Sequence, residues 1–530
     1  MAQLKFKGKQ FVQNHHLSVK YHELVPVKSG SLTKEVSLND NLIIHGDNLL
    51  ALKALLPTYA GKVKCIYIDP PYNIGNEGWA YNDNVNSPMM QEWLGKIVDK
   101  DDLTRHDKWL CMMMPRLKLL RELLSEDGVI CISIDDNEIA KLVFLLDEIF
   151  GEDNKEEIVC WRRRHNQPND KSKAISKVAE FLVIYAKNLD YLKQKKSFHG
   201  LPLTGNFSNP DDDPKGDWAS KPWKAGTGQT GSRYKIKTPS GKIMDEEWLG
   251  DEETYKKHIK EGRIYFPKGG SGFPRKKYYK FEREEEGQCA HNFWGHEEFG
   301  SNQEASQEIG EIGLDFNNPK PVKLINAILT IFSNKDSIIL DSFAGSGTTA
   351  HAVLELNKED GGNRKFILVE CEDYADKITA ERIRRVIKGV PKAKDESLKK
   401  GLGGSFSFFE LGKPIEIENI LSGKNLPSFK ELARYVFYTA TGEEFKEKEV
   451  DIKSGYIGEN DEYEVYLFYK PDLAYLKNTA LTLDRAKTLG AFRKKKRLVF
   501  APTKYLDQEF LDELRIEFAQ LPFEIYRMAR

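Results

Sequence analysis

Two stretches of this chain carry residue types suited to chemistry. The first is Asp69-Pro70-Pro71-Tyr72. The apolar run Val63, Cys65, Ile66, Tyr67, Ile68 leads into it, as a buried parallel strand would. Two consecutive prolines cannot prolong a strand or enter a helix normally. The strand therefore ends in a carboxylate, a stiff backbone and an aromatic ring, at the sheet edge where open α/β folds bind ligands. A carboxylate and a proline-fixed carbonyl can both accept hydrogen bonds from one exocyclic amine. A tyrosine ring beside them can stack on the planar base that bears the amine. These groups suit methylation of an amino group on a nucleobase; the plain alternative for the same residues is a helix cap followed by a rigid turn.

The second stretch starts with the strand-like run Ser337 to Leu340 and continues as Asp341-Ser342-Phe343-Ala344-Gly345-Ser346-Gly347-Thr348-Thr349. A helical segment follows, then Phe366-Ile367-Leu368-Val369 ending in Glu370. Strand, glycine-rich turn, helix, strand and acidic residue is the layout of a nucleotide-type cofactor site, with the acid about 20 residues beyond the glycines to take a ribose hydroxyl pair. Gly345 and Gly347 let the backbone approach a ligand closely. A lone Gly-x-Gly is a weak signal, and the flanking strands with the terminal Glu370 are what strengthen it. The turn lacks the lysine of a phosphate loop, which suits a cofactor without a triphosphate.

The elements that must position these groups form an α/β pattern. Leu42-Ile43-Ile44 reads as a short strand, and Asp47 or Asn48 as the cap of a helix over 49–56. Residues 73–106 form a long polar loop beside the first motif, as functional lids and binding loops do. Helical period covers 107–125, a strand follows at 129–134, and Asp135-Asp136-Asn137 caps a helix reaching Phe150. Residues 157–161 and 180–186 read as two further strands. Between them lies Arg162-Arg163-Arg164-His165, followed by lysines 171, 173 and 177, with Asp170 opposing.

Composition divides the rest. Residues 1–40 are polar and irregular, an arm. Residues 41–189 form the first half of a catalytic domain, 190–300 a loop-rich insertion dominated by Gly, Pro, Lys, Asp and aromatics, 301–390 the second half, and 391–530 a separate α+β unit after a Pro-, Lys- and Gly-rich linker. The 530 residues exceed one core and suggest roughly three or four units. A 40% hydrophobic and 30% charged composition with net charge −1 describes a globular protein and excludes a uniformly basic nucleic-acid binder, though not local basic patches. The six cysteines at 65, 111, 131, 160, 289 and 371 show no metal-ligand spacing, so no metal site is expected and reduced thiols of a cytoplasmic protein are. The polar, lysine-bearing segment 1–12 is no signal peptide, and no stretch approaches the roughly 20 apolar residues of a membrane helix.

Within the insertion, Arg233-Tyr234-Lys235-Ile236-Lys237 and Arg275-Lys276-Lys277-Tyr278-Tyr279-Lys280 interleave bases with aromatics. That pattern suits phosphate and base contact as well as a solvated strand face. Arg162, Arg163 and Arg164 read as DNA-backbone contacts, and Arg493-Lys494-Lys495-Lys496-Arg497 as a solvated turn.

The pair Asp69-Pro70-Pro71-Tyr72 and Asp341 to Thr348 resembles the DNA amino-methyltransferases that use S-adenosylmethionine, in the motif order of their beta class. The stretches Ile43 to Asn73, Asp127-Gly128-Val129-Ile130, Asp135-Asp136-Asn137-Glu138, Asn318-Pro319-Lys320-Pro321, Tyr469-Lys470-Pro471-Asp472 and Phe500 to Asp507 resemble the Mod subunits of type III restriction-modification systems and their standalone relatives. The resemblance implies a Rossmann-like S-adenosylmethionine-dependent methyltransferase fold in which the insertion is a target-recognition domain. It implies Asp69 and the Pro70 carbonyl on the target amine, with Pro71 in the same catalytic motif and Tyr72 against the extruded base. It further implies Asp47, Asp69, Asp341, Phe343, Gly345, Gly347, Thr348 and Glu370 around the cofactor. The Asp form of the tetrapeptide implies adenine N6 rather than cytosine N4. Double-stranded DNA, a second copy of the chain and a Res-type restriction subunit are the implied partners, in a bacterial or phage-encoded cytoplasmic protein. A scaffold that reads DNA and recruits a nuclease is the competing role, and RNA or protein methylation the weaker one.

Overall fold

A computed structural model describes residues 4–73, 105–167, 171, 174–415, 423, 426–489 and 495–521. Most of the loop 73–106, together with Asp170, Lys173, Arg493 and Lys494, lies outside them.

The first half of the chain supplies β1 (His22–Pro26), β2 (Leu42–His45), β3 (Val63–Ile68), β4 (Leu124–Ile134), β5 (Lys155–Arg162) and β6 (Ala179–Ala186). The insertion supplies β7 (Trp218–Pro222), β8 (Ser232–Lys237), β9 (Ile243–Trp248), β10 (Ile264–Tyr265) and β11 (Arg275–Tyr279). The second half adds β12 (Phe293–Trp294), β13 (Ile338–Asp341), β14 (Lys365–Glu370) and β15 (Ser407–Pro414), and the tail adds β16 (Tyr456–Glu459), β17 (Tyr463–Leu467), β18 (Lys496–Ala501) and β19 (Ile516–Gln520). Ten strands form one sheet in the order β1-β15-β2-β14-β13-β3-β4-β6-β5-β12. The run from β15 to β4 is parallel, and β1 and β6 join it antiparallel. Parallel strands covered on both faces need continuous apolar sequence, and β3 is buried at all six positions.

Helices cover the sheet where their apolar stripes dictate. The helix Asn48–Tyr59 is capped by Asp47, whose carboxylate accepts from the Leu49 and Leu50 amides at 2.8 and 3.4 Å. It packs on the helix Arg105–Leu123. Asp135 to Asn137 do not cap the next helix: it runs Ile139–Phe150 behind Glu138, while Asp135 closes a local turn onto the Asn137 amide at 2.9 Å.

The structure redraws three boundaries. Residues 1–40 are not a loose arm, because β1 pairs with β15 in the main sheet and Tyr21 stacks on Tyr435 at 4.8 Å between ring centroids. The insertion is compact only over His199–Ala290 rather than 190–300: the helix Leu189–Lys195 packs on β4, and β12 pairs with β5. Residues 391–530 are not independent. β15 lies beside β2, the helix Phe429–Thr441 packs on Asn48–Tyr59, and Val465, Leu467, Leu498 and Phe500 of the four-stranded tail sheet share the main core. The 199–290 unit has its own three-stranded sheet β10-β11-β7, the hairpin β8-β9, and a small core of Trp223, Ile236, Met244 and Trp248. Among the described residues no helix is long and apolar enough to cross a membrane.

Candidate active site

The two chemical motifs meet because their strands are neighbours. β3 and β13 run parallel with Ile66 opposite Leu340, so Asp69 and the Ser342–Gly347 turn leave the sheet at the same edge. β14 lies on the other side of β13, with Leu368 opposite Asp341, and Glu370 ends it at that edge. One cavity of about 880 Å³ is lined by Asp69, Pro70, Pro71, Tyr72, Phe343, Gly345 and Glu370. Trp109 donates from Nε1 to the Pro71 carbonyl at 2.7 Å, which fixes the double-proline turn from beneath.

The carboxylate of Asp69 is held on both sides. Tyr72 Oη lies 2.7 Å from Oδ1, and Lys320 Nζ donates to Oδ2 at 2.5 Å. The same ammonium donates to Tyr72 Oη at 2.9 Å, stands 5.2 Å from the Tyr72 ring centroid, and reaches Glu180 Oε2 at 3.5 Å. Glu180 is 3% exposed; Tyr72 Oη lies 3.1 Å from Oε2 and Arg163 Nη1 3.0 Å from Oε1. Two carboxylates and two cations therefore neutralise each other around one phenol. Burial opposes the charge on Lys320, but Asp69 and Glu180 overcome it and hold the ammonium above its ordinary range. Burial, then the neighbouring carboxylates, raise Tyr72 well above an ordinary phenol, so it is a neutral hydroxyl.

The glycine turn is built for close approach. Gly345 and Gly347 have φ of +50° and +79°, the left-handed region that side chains avoid. A Cβ on Gly347 would also press within 3.2 Å of the Thr379 carbonyl. Gly347 caps the helix Thr348–Asp360. Beneath the turn, fully buried Arg382 donates to Ser346 Oγ, Thr348 Oγ1 and His351 Nδ1 at 3.0, 2.9 and 3.2 Å. Thr348 Oγ1 in turn donates to the Lys320 carbonyl at 3.1 Å, tying the turn to the segment that carries the lysine. Asp341 accepts from the Phe343 amide at 3.0 Å and from Thr349 Oγ1 at 2.5 Å, and burial pushes its carboxyl up to about 7.

Of the residues expected at the cofactor, Asp69, Phe343, Gly345 and Glu370 line the cavity. Gly347, Thr348 and Asp341 lie behind its wall, where they set the shape of the turn. Asp47 is not at the cavity: its carboxylate is used as a helix cap and pairs with buried Arg116 at 3.2 Å. Of the basic cluster, Arg163 and Arg164 line this same cavity, and Arg162 turns back to the His165 carbonyl at 3.4 Å.

In the 199–290 unit, Arg233 and Lys235 alternate on the exposed face of β8 while Ile236 is buried. Arg233 pairs across the hairpin with Asp245 at 3.1 Å. Arg275 is turned onto Ser220, donating to its Oγ and carbonyl at 2.8 and 2.9 Å. Lys276 lies 5.5 Å from the Tyr278 ring centroid. Lys277 is not a surface contact: it is 3% exposed and 2.5 Å from both Asp211 and Asp213. An ammonium so enclosed serves the unit's own stability. Lys320, Glu180, Phe316 and Asn302 also line the cavity and escape a reading of motif chemistry. A lysine between two prolines and a lone acid heading an apolar strand were the available signals.

Against protein families, residues 63–381 match the model of DNA methylase. The chain belongs to that family. The StyLTI Mod subunit of a type III restriction-modification enzyme from Salmonella typhimurium is 33% identical over 442 residues, 78% of this chain and 67% of that protein. The EcoPI Mod subunit of Escherichia phage P1 is 30% identical, covering 71% of this chain and 66% of its own. The type II methyltransferase M.KpnI of Klebsiella pneumoniae is 32% identical, covering 62% and 80%. The chain thus spans about two thirds of the length of these Mod subunits. It is a DNA methyltransferase, its mixed, mainly parallel sheet is of the Rossmann-like kind, and the family takes its methyl group from S-adenosylmethionine.

The residues present fit that donor. Phe343, Phe316 and Tyr374 give an apolar, aromatic wall, with Phe316 edge-on to Tyr374 at 5.5 Å between centroids. The Glu370 carboxylate accepts from the Gly345, Cys371 and Glu372 amides at 2.7, 2.9 and 3.1 Å. A carboxylate has about four acceptor positions, so Glu370 is oriented by three amides and takes a hydroxyl besides, that of Tyr374 in this structure. Burial raises its pKa, with the three amides opposing.

Proposed function

We propose that this methyltransferase acts on the N6 amine of an adenine turned out of duplex DNA at a specific sequence. The observation that supports this best is the shared cavity: the acceptors Asp69 and Pro70, the Tyr72 ring and the cofactor-side residues Phe343, Gly345 and Glu370 all line it. The exocyclic nitrogen is a poor nucleophile because its lone pair is delocalised into the ring. Accepting its two hydrogens at Asp69 and the Pro70 carbonyl favours a tetrahedral nitrogen and frees the lone pair. Bound S-adenosylmethionine supplies an electrophilic methyl group. The protein's share of the work is positioning and electrostatic stabilisation, and the proton lost from nitrogen passes by way of Asp69 to solvent. The target amine is inaccessible inside a duplex, so the base is extruded at a cost of a few kcal/mol, offset by stacking on Tyr72. Arg163 and Arg164 at the cavity supply charge for the DNA backbone, and Arg233, Lys235, Arg275 and Lys276 of the 199–290 unit supply contacts for target recognition.

The Asp form of the tetrapeptide favours adenine over cytosine. By likeness to the Mod subunits, the chain works as a homodimer that partners a Res-type restriction subunit. Purified protein should transfer labelled methyl from S-adenosylmethionine to adenine in duplex DNA, and Asp69→Ala should abolish transfer while retaining cofactor binding. Modified-base sequencing of DNA from cells expressing the chain reports the base and its sequence context together. Methylated cytosine, or no methylated base with cofactor bound, refutes the reading, and light scattering showing monomer at micromolar concentration refutes the dimer.

A further inference from the structure

In the cavity without a base each oxygen of Asp69 already holds a donor. Its Oδ2 is taken by Lys320 Nζ at 2.5 Å and its Oδ1 by Tyr72 Oη at 2.7 Å. Lys320 is a three-donor ammonium, 9% exposed, on a segment anchored through its carbonyl to Thr348. An incoming amine must make its hydrogen bond to the same carboxylate. The lysine has somewhere to go: Glu180 Oε2 is already 3.5 Å away and Tyr72 Oη 2.9 Å. Glu180 is itself held in place by Arg163 at 3.0 Å. A short swing of Nζ from Asp69 to Glu180 keeps both the ammonium and Glu180 paired, and opens one side of Asp69.

We propose that Lys320 is a resident stand-in for the target amine, occupying Asp69 until a base bearing an amino group displaces it onto Glu180. This rests on the adenine reading above and deepens it. Two consequences follow from the bookkeeping of partners. In the resting site no buried carboxylate is left unpaired, a state that is costly wherever it occurs. A base without the amine leaves Lys320 on Asp69, so it is tolerated rather than expelled. An amine, for its part, gains only the difference between its own contact and the lysine contact that it breaks. Lys320 therefore sets how strongly the site distinguishes an amine from its absence. Glu180 is the positioning residue that makes the exchange inexpensive.

The test compares two bases that differ only in the exocyclic amine, adenine and unsubstituted purine, at the target position of a fluorescein-labelled duplex. The duplex carries the sequence found by modified-base sequencing, and binding is followed by anisotropy with saturating S-adenosylhomocysteine. In Lys320→Met the displaced contact is gone, and purine leaves Asp69 with the Tyr72 hydroxyl as its one remaining donor. The ratio of purine Kd to adenine Kd should rise by about tenfold or more, the effect of one hydrogen bond to a charged group. In Lys320→Arg the planar fork grips a carboxylate through two donors, and the ratio should fall toward one. A Lys320→Met ratio equal to or below that of the unaltered protein overturns the proposal. If that variant fails to fold, Lys320→Arg decides, and an unchanged or larger ratio in it overturns the proposal. Failure of the adenine reading is separate: it appears as the absence of methyladenine in the sequencing, before any variant is made.

Discussion

Replacing Asp69 by Asn isolates the charge on the acceptor from its shape. The side chain keeps its volume and one oxygen, but loses the negative charge beside the reacting nitrogen. As that nitrogen bonds to the methyl group it acquires positive charge. At a separation of about 4 Å and an effective dielectric of about 20, a unit charge pair is worth about 4 kcal/mol. That corresponds to about a thousandfold in rate. The fold should tolerate the change. Lys320 retains Tyr72 at 2.9 Å and Glu180 at 3.5 Å, so its ammonium is not orphaned, and the cost stays below the roughly 3 kcal/mol of a fully unpaired buried charge. Single-turnover transfer of labelled methyl to DNA, with calorimetric binding of S-adenosylmethionine alongside, measures both sides. The expected result is a rate lower by about a thousandfold with cofactor affinity kept to within several-fold. A rate within tenfold of the unaltered enzyme would refute the role given to the carboxylate, because positioning alone would then suffice.

Asp341 gives a pH signature. Its carboxyl titrates at about 7 in the folded protein because it is buried, against 3.8 ordinarily. The folded state then holds a proton that the unfolded state has lost, so stability falls as pH rises from about 4 to about 7. Asp341→Asn removes that fall; denaturant unfolding of both proteins at pH 5 and pH 8 should show the variant gaining on the original by at most about 3 kcal/mol at the higher pH. An equal difference at both values would place the charge elsewhere. In the 199–290 unit, Lys277→Ala removes the cation from Asp213, which keeps the Tyr279 hydroxyl and the Lys215 amide, and should cost up to about 3 kcal/mol, read as early proteolysis of that unit. Lys235→Ala on the exposed face of β8 should leave unfolding unchanged and reduce the salt slope of DNA binding by about one; the reverse ranking would mean that the two lysines had been assigned the wrong way round.

What the sequence disclosed, and what it withheld, follows the range of the interactions involved. β3 and β13 were legible because a parallel strand buried on both faces must be apolar throughout, and their ends were legible because proline and glycine punctuate the backbone. Their adjacency, with Ile66 opposite Leu340, belongs to the topology of the sheet and brings Asp69 and Gly345 to one edge. Asp47 was legible as a helix cap from its place before the run 49–56; its second partner, Arg116, more than sixty residues away and fully buried, was not. The run Arg275-Lys276-Lys277 shows the same limit on one strand. Alternation places its members on opposite faces, so Lys277 turns inward to two aspartates that precede it by more than sixty residues. The residues 391–530 looked separate because a linker precedes them, yet β15 completes the main sheet, and no local pattern announces which edge a strand will join.

The cavity extends that contrast to mechanism. A motif points to groups suited to a substrate, and Asp69-Pro70-Pro71-Tyr72 gathers the proposed ones in four consecutive residues. It does not identify what holds those groups when no substrate is there. Asp69 and Glu180 are two carboxylates converging on one phenolic oxygen, an arrangement that repels itself unless cations are supplied. Arg163 comes from the end of β5 and Lys320 from the turn before the helix Val322–Phe332. Neither cation is near the tetrapeptide in sequence, and only the order β13-β3-β4-β6-β5 brings them in. The mixed sheet is thus more than a support for the cofactor turn: its antiparallel pair β6 and β5 delivers Glu180 and Arg163, the ion pair against which the Lys320 ammonium bound to Asp69 is set.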